Sequence, residues 1–199
     1  AGFAKLLKKG NLKEEQKQEY LDIIEEESLR LSYMATNVLN LTKVENQTIL
    51  TDVTRYNLSE QIRACVLLLE NRWMKKNIEF GLEFDEYEIS ANEELLKQVW
   101  INLIDNAIKF SPEYGMIVIR IKEQNDSYRV SVANTGTVIP QESISKIFNK
   151  FYQVDESHSS EGNGVGLAIV KKIVDLHKGE VSVSSENGGT VFEVELYRK

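Results

Sequence analysis

The chain has 199 residues, 42% of them hydrophobic, and a formal net charge of −7 with acidic and basic side chains mixed along its length. That is enough for one ordinary domain and a helical appendage, and the net negative charge with mixed signs argues against a nucleic-acid partner, which calls for a basic face. The one cysteine, Cys65, lies in the apolar run Ala64–Leu69, so neither a disulfide framework nor a cysteine-based metal site can be built, and a reducing compartment is expected. No apolar stretch approaches the roughly 20 residues that span a bilayer, and the chain starts without Met. It reads as a cytoplasmic fragment of a longer protein.

Residues 1–9 read as the last turns of a helix, broken at Gly10 and Asn11. Asn11 and Glu14 have the spacing of a capping box, and a long helix is expected to run to about Glu45. Its positions Tyr20, Ile24, Leu31, Met34, Val38 and Leu41, with Glu27 in the one polar slot, step alternately by four and three residues. That is the stepping of a coiled-coil seam, and the alternative is an ordinary amphipathic helix packed on its own domain. Residues 46–56 read as a linker entering an edge strand. Asn57 and Glu60 repeat the capping spacing and open a helix to about Lys75. Alternation from Ile78 to Phe84 predicts a strand. A helix from about Glu93 to Phe110 ends at Ser111-Pro112. Two strands, Met116–Lys122 and Tyr128–Val132, join through Asn125-Asp126 as a hairpin. A short helix over 141–148, a polar glycine-containing loop over 149–163 and a helix from Gly164 to His177 follow. The strands Glu180–Ser184 and Thr190–Tyr197 close the chain as a hairpin around Gly188-Gly189. Hairpins dominate the interleaved pattern, which predicts an α+β sandwich with helices on one face rather than a doubly wound parallel sheet.

Three constellations carry chemistry. Asn102 and Asn106 lie four apart and project from one helical face, with Lys109 a turn further on. Two neutral oxygen donors and a cation suit a magnesium ion bridging phosphates, since Mg²⁺ takes few protein ligands and keeps waters and substrate oxygens. The alternative is a pair of solvated helix polars. The glycines at 162, 164 and 166 open a helix, where free N–H groups and a positive dipole end face an anion. The run follows no strand and lacks the Gly-Lys-Ser/Thr ending, so neither the dinucleotide fingerprint nor the Walker loop applies, and a flexible loop is the alternative. Asn134-Thr-Gly136-Thr-Val-Ile139-Pro140 follows a strand directly. It offers a polar side chain that could read a base edge, or it is a plain turn.

Together these segments resemble one family. Asn-x-x-x-Asn-Ala-x-Lys-Phe-Ser from Asn102, Asn-x-Gly-x-x-Ile-Pro from Asn134, Phe148-x-x-Phe151 and Gly-x-Gly-x-Gly-Leu from Gly162 look like the asparagine, first glycine, phenylalanine and second glycine boxes of sensor histidine kinases. They come in that family's order and at roughly its spacing. The resemblance implies the two-layer α/β sandwich of the GHKL, or Bergerat, ATP-binding fold over 49–199. It implies a remnant of the dimerisation and phosphotransfer hairpin over 1–48. Asn106 would bind Mg²⁺, with Asn102 on the phosphate side and Lys109 contacting phosphate. Asn134 would stand in place of an aspartate that accepts from the adenine amino group, with Gly136 and Ile139 lining the adenine pocket and Thr190 near the base. Gly162, Gly164, Val165, Gly166 and Leu167 would hold the phosphates of ATP and hinge a lid ordered by Phe148 and Phe151. In the intact parent the γ-phosphoryl group would pass to a histidine, then to a response regulator receiver domain. The parent would be a homodimer anchored in the bacterial cell membrane.

Two departures stand out. Asn134 carries no charge, so its bond to an amine is weaker than an aspartate's. Val138 stands where the family has a second glycine, and a β-branched residue avoids positive φ, so this loop should take a different path. ATP binding is expected to survive because the asparagine and second glycine boxes are intact. Neither His158 nor His177 sits in a His-Glu phosphoacceptor motif, so the chain is expected to be unable to phosphorylate itself. Related ATPases carry a glutamate base where Asn102 stands, so water should not be the intended acceptor. The rival reading is a nucleotide-binding regulatory or scaffold module without phosphotransfer. A serine kinase of similar fold is a third.

Overall fold

The computed structural model describes residues 2–8, 12–154 and 164–198, and the chain divides into two compact units, Ala1–Asn40 and Leu41–Lys199. In the first, α1 (Gly2–Lys8) and the start of α2 (Glu14–Asn46) bring the Phe3 and Tyr20 rings to 5.2 Å between centroids. The expected cap at Asn11 lies outside the described residues. The helix opens instead at Lys13, whose N–H donates to Gln16 Oε1 at 3.2 Å while its carbonyl accepts from Lys17 N. That is the backward-reaching half of a capping box, shifted two residues from the sequence reading. Of the proposed seam, Tyr20 and Ile24 are half-buried and Leu31 and Val38 are exposed. Leu41 is buried, in the core of the second unit.

The second unit holds the sandwich. A five-stranded sheet runs β2–β4–β5–β7–β6, built from Glu79–Glu83, Met116–Glu123, Ser127–Thr135, Gly189–Tyr197 and Glu180–Glu186 respectively. Only β2 and β4 are parallel, and the other pairs are antiparallel. Every second residue of β4, β5 and β7 is buried, the period expected of a sheet covered on one face. The helices α3 (Leu58–Leu68), α5 (Glu93–Phe110) and α7 (Gly166–Leu176) supply that cover, with α5 packed against α3, α7 and β5. Ile119, Val132 and Phe192 form one buried row across the sheet, and Ile121, Val130 and Val194 the next. The row at the sheet's other end turns polar: Ile117, Asn134, Thr190 and Ser185 stand in line, all buried.

Several elements differ from the sequence reading. The short helix expected over 141–148 is the single turn α6 (Gln141–Ile144). The helix expected to reach Lys75 breaks at Leu69, which ends α3 and opens α4 (Glu70–Lys75). No glycine or proline marks this break. The Val66 carbonyl accepts from Leu69 N at 3.2 Å and from the Trp73 indole at 3.0 Å. A strand β3 (Glu88–Asn92), not foreseen, pairs antiparallel with β1 (Val53–Asn57). The Asn57 cap is present, its side chain accepting from Glu60 N at 2.9 Å. The Glu60 carboxylate turns to Arg63 rather than back to Asn57.

Candidate nucleotide site

Helix α5 presents the first set of candidate residues. Its N-cap is Asn92, whose side-chain oxygen accepts from Leu95 N at 2.9 Å. Asn92 also gives its own N–H to His177 Nε2 at 3.2 Å, and His177 Nδ1 meets the Ile173 carbonyl at 2.8 Å. His177 thus uses both ring nitrogens in the fold, as the tautomer with hydrogen on Nδ1, and ties the end of α7 to the start of α5. Leu96, Leu103, Ile104, Ala107 and Ile108 fill the core. Asn102, Asn106 and Lys109 are half-buried on the remaining face. Asn102 Nδ2 donates to the Gln98 carbonyl at 2.8 Å, which fixes the carboxamide and aims its Oδ1 at Gly166, where a Cβ would stand only 3.0 Å from that oxygen. Among the described residues the Asn106 amide has no hydrogen-bond partner. Lys109 Nζ lies 4.7 Å from the centroid of the Phe110 ring.

The second glycine box meets α5 here. Gly164 has φ +65, and a Cβ on it would sit 2.7 Å from the Phe151 carbonyl carbon and the Tyr152 carbonyl oxygen. The Phe151 N–H bonds the Gly164 carbonyl at 2.8 Å. Phe151 itself has φ +62 and an exposed side chain, whereas Phe148 packs edge-on to Phe192 at 6.5 Å. The two phenylalanines therefore do different things. Val165 is fully buried and provides no side-chain cap to α7. The helix begins at Gly166, two residues later than expected, with Leu167 half-buried against the core. Gly162 lies outside the described residues, as does His158.

The polar sheet row carries the remaining candidates. Asn134 is 5% exposed; its Nδ2 donates to the Thr135 carbonyl at 3.0 Å, and its Oδ1 has no partner among the described residues. Thr190 Oγ1 lies 2.7 Å from Ser185 Oγ and 3.2 Å from the Thr137 carbonyl, and Ile139 N–H donates to Ser185 Oγ at 2.8 Å. These bonds fasten the Gly136–Pro140 loop to the last hairpin. Gly136, at φ +132, packs so closely on the Phe110 carbonyl that any Cβ would overlap it. Thr137 N–H donates to that same carbonyl at 3.3 Å. Val138 avoids positive φ, so Gly136 is where the loop enters that region.

Asn102 and Gly166 are thus brought together, as are Asn134, Gly136, Ile139 and Thr190. Lys109 reaches the second group through its neighbour Phe110. Ser185 was not foreseen, because a serine in an alternating strand looks like any inward or outward polar residue. His177 is a satisfied core histidine, and Asn92 was legible as an asparagine standing directly before a helix. Among the described residues no three His, Cys, Asp or Glu side chains converge to cage a metal.

An α+β sandwich with asparagines on α5, glycines opening α7 packed against it and a buried polar row at one end of the sheet defines a nucleotide-binding class. The family described as "Histidine kinase-, DNA gyrase B-, and HSP90-like ATPase" matches residues 91–199. The chain belongs to that family, and the relatives it matches are sensor histidine kinases, as the four boxes led us to expect. Over 173 residues it is 32% identical to the sensor histidine kinase CusS of Escherichia coli (strain K12), covering 86% of this chain and 36% of CusS. It therefore spans about a third of the length of the curated relatives it matches. The solved complex of histidine kinase ThkA with response regulator protein TrrA aligns over the whole chain and 56% of the ThkA chain, at 33% identity and TM-score 0.82. Full-length ShkA in complex with AMPPNP aligns over the whole chain and 42% of its own, at 28% identity and TM-score 0.80.

Proposed function

We propose that the chain is the catalytic module of a sensor histidine kinase, holding MgATP for phosphoryl transfer to a histidine. The observation that carries this reading is Asn102 Oδ1 facing Gly166: an amide oxygen from α5 meets the uncapped first turn of α7. Backbone N–H groups there suit phosphate oxygens. Asn106 supplies a neutral oxygen of the kind a magnesium ion takes alongside phosphates and waters, and Lys109 adds a cation. The donor set fits the group, since a lone amide oxygen makes an incomplete metal site that substrate oxygens finish. When bound, MgATP supplies the transferable γ-phosphoryl group.

On the base side, Asn134 accepts from the adenine amino group through the oxygen its bond to Thr135 leaves open. Gly136, Ile139 and Thr190 shape the pocket, and Gly162, Gly164, Val165, Gly166 and Leu167 hold the phosphates. Positioning and charge neutralisation carry the catalysis. Asparagine is no proton acceptor at physiological pH, so Asn102 does not activate water; a histidine as the accepting group rests on the likeness to sensor histidine kinases. His177 is no candidate, because both its nitrogens are engaged in the core. The chain alone does not phosphorylate itself. The whole protein works as a homodimer paired through the helices of residues 1–48, is anchored in the membrane, and passes phosphate to a response regulator receiver domain. ThkA, solved with TrrA, supports that partner class. No helix among the described residues is long and apolar enough to cross a membrane.

The second reading, a nucleotide-binding scaffold without transfer, is favoured by the uncharged Asn134 and by Val138. Mixing the chain with a separately made histidine-bearing hairpin and γ-labelled ATP separates the two. Label on the hairpin histidine supports the kinase. Tight hairpin and nucleotide binding with no label over hours supports the scaffold.

A further inference from the structure

We propose that Lys76 is a positioning residue for the nucleotide site, acting through the end of α5 on the loop beside the base; the inference rests on the nucleotide reading above. Lys76 lies in the turn between α4 and β2. Its ammonium donates to three carbonyls in one place: Ile108 O at 3.0 Å, Lys109 O at 2.8 Å and Ser111 O at 3.1 Å. An ammonium has three N–H donors, and all three are spent here. A helix leaves its last four carbonyls without intrahelical partners. In α5 every one is accounted for. Ala107 O receives Ser111 N and Ser111 Oγ, Ile108 O and Lys109 O receive Lys76, and Phe110 O receives Thr137 N–H.

The lysine therefore grips the backbone on both sides of Phe110. The carbonyl it does not touch, Phe110 O, is the one on which Gly136 packs and to which Thr137 bonds. The position of that oxygen sets the position of the Gly136–Pro140 loop, and with it Ile139, whose N–H is tied to Ser185. The turn carrying Lys76 is itself held, since its carbonyl accepts from Tyr114 N at 2.8 Å. A cation at a helix C-terminus is also favourable to the dipole. Nothing in the sequence flags this residue, which sits in the ordinary surface run Lys75-Lys76-Asn77.

The test compares a ligand that has a base with one that has only phosphates. Lys76→Met keeps the aliphatic stem and removes the donors. MgATP and magnesium tripolyphosphate are titrated into both proteins, well below the melting temperature of each. The proposal expects MgATP to bind about ten-fold more weakly to the variant, the loss of roughly one charged hydrogen bond, with tripolyphosphate affinity held within about two-fold. Lys76→Gln, which keeps an N–H donor on a shorter chain, serves where the methionine variant does not fold, and its expected MgATP loss is smaller but still selective. Unchanged MgATP affinity in a folded variant, or equal loss for both ligands, overturns the positioning role. Wild-type protein that binds neither ligand overturns the nucleotide reading itself, and the proposal with it.

Discussion

Gly166 faces the carboxamide oxygen of Asn102 with room for a hydrogen but not, comfortably, for a methyl group: a Cβ would stand 3.0 Å from Asn102 Oδ1. The asparagine cannot swing aside without giving up its bond to the Gln98 carbonyl. Gly166→Ala should therefore separate binding from stability. Alanine favours helix over glycine by up to about 1 kcal/mol, which offsets the crowding, so the melting temperature should hold or rise slightly. MgATP affinity should fall about ten-fold if, as proposed above, the displaced oxygen is the one that faces phosphate. Titration and thermal melting of the same preparation check both halves.

Three glycines with positive φ should rank by what surrounds them. Gly136 abuts the Phe110 carbonyl and Gly164 the Phe151–Tyr152 backbone, whereas at Gly188, φ +77, a Cβ would have nothing within 4 Å. Alanine at 188 should cost only the backbone strain, about 1 kcal/mol. Alanine at 136 or 164 adds a clash with rigid backbone and should cost more than about 2 kcal/mol. Denaturant unfolding of the three variants gives the order directly, and a Gly188→Ala loss as large as the others would contradict it.

Asn134→Asp should destabilise the fold at neutral pH, although the two side chains have the same shape. The amide donates to the Thr135 carbonyl; a carboxylate has no hydrogen to give and would face that oxygen while buried. A loss of about 1–3 kcal/mol is expected at pH 7. Burial raises the pKa of such a carboxyl in the folded state, so the deficit should shrink as pH falls towards about 5 and the protonated form donates again. Equal stability of the two proteins at pH 7 would mean that the Thr135 bond does not hold the amide.

Cys65 gives the wild-type chain a measurable alkaline limit. Burial pushes its thiol up from 9.0 to about 11. The folded state keeps the proton that the unfolded chain begins to lose at about pH 9. The stabilisation is therefore complete below that pH and is lost as pH rises to about 11. The slope from this group should reach up to about 1.4 kcal/mol per pH unit. Burial also raises Tyr56, and Glu93 adds to the rise, so Tyr56 continues the decline at higher pH. Denaturant midpoints between pH 8 and 11 should fall in the wild type and fall less in Cys65→Ala, even though the cavity makes the variant weaker at pH 7.

The fold was legible wherever local chemistry and tertiary packing agree. The cap at Asn57, the hairpin over β4 and β5 and the helix Glu93–Phe110 each follow from residues adjacent in sequence. The strand β3 was not legible, because Ile89 and Ala91 are its only apolar residues and its pairing with β1 comes from more than thirty residues away. The break at Leu69 is made by Trp73 reaching back to the Val66 carbonyl, and no residue there is a helix breaker. In the site, the glycines and asparagines announce themselves by spacing. Ser185 and Lys76 do not, because the backbone they hold in place, Ile139 N–H and the end of α5, belongs to distant segments, which no local pattern encodes.

Isothermal calorimetry of MgATP against the folded chain, with and without excess chelator, bears most directly on the central claim. The account predicts one site per chain whose affinity collapses when magnesium is withdrawn and weakens on Asn106→Ala. Material that melts cooperatively yet shows no binding of ATP at millimolar concentration, with or without the metal, would contradict it.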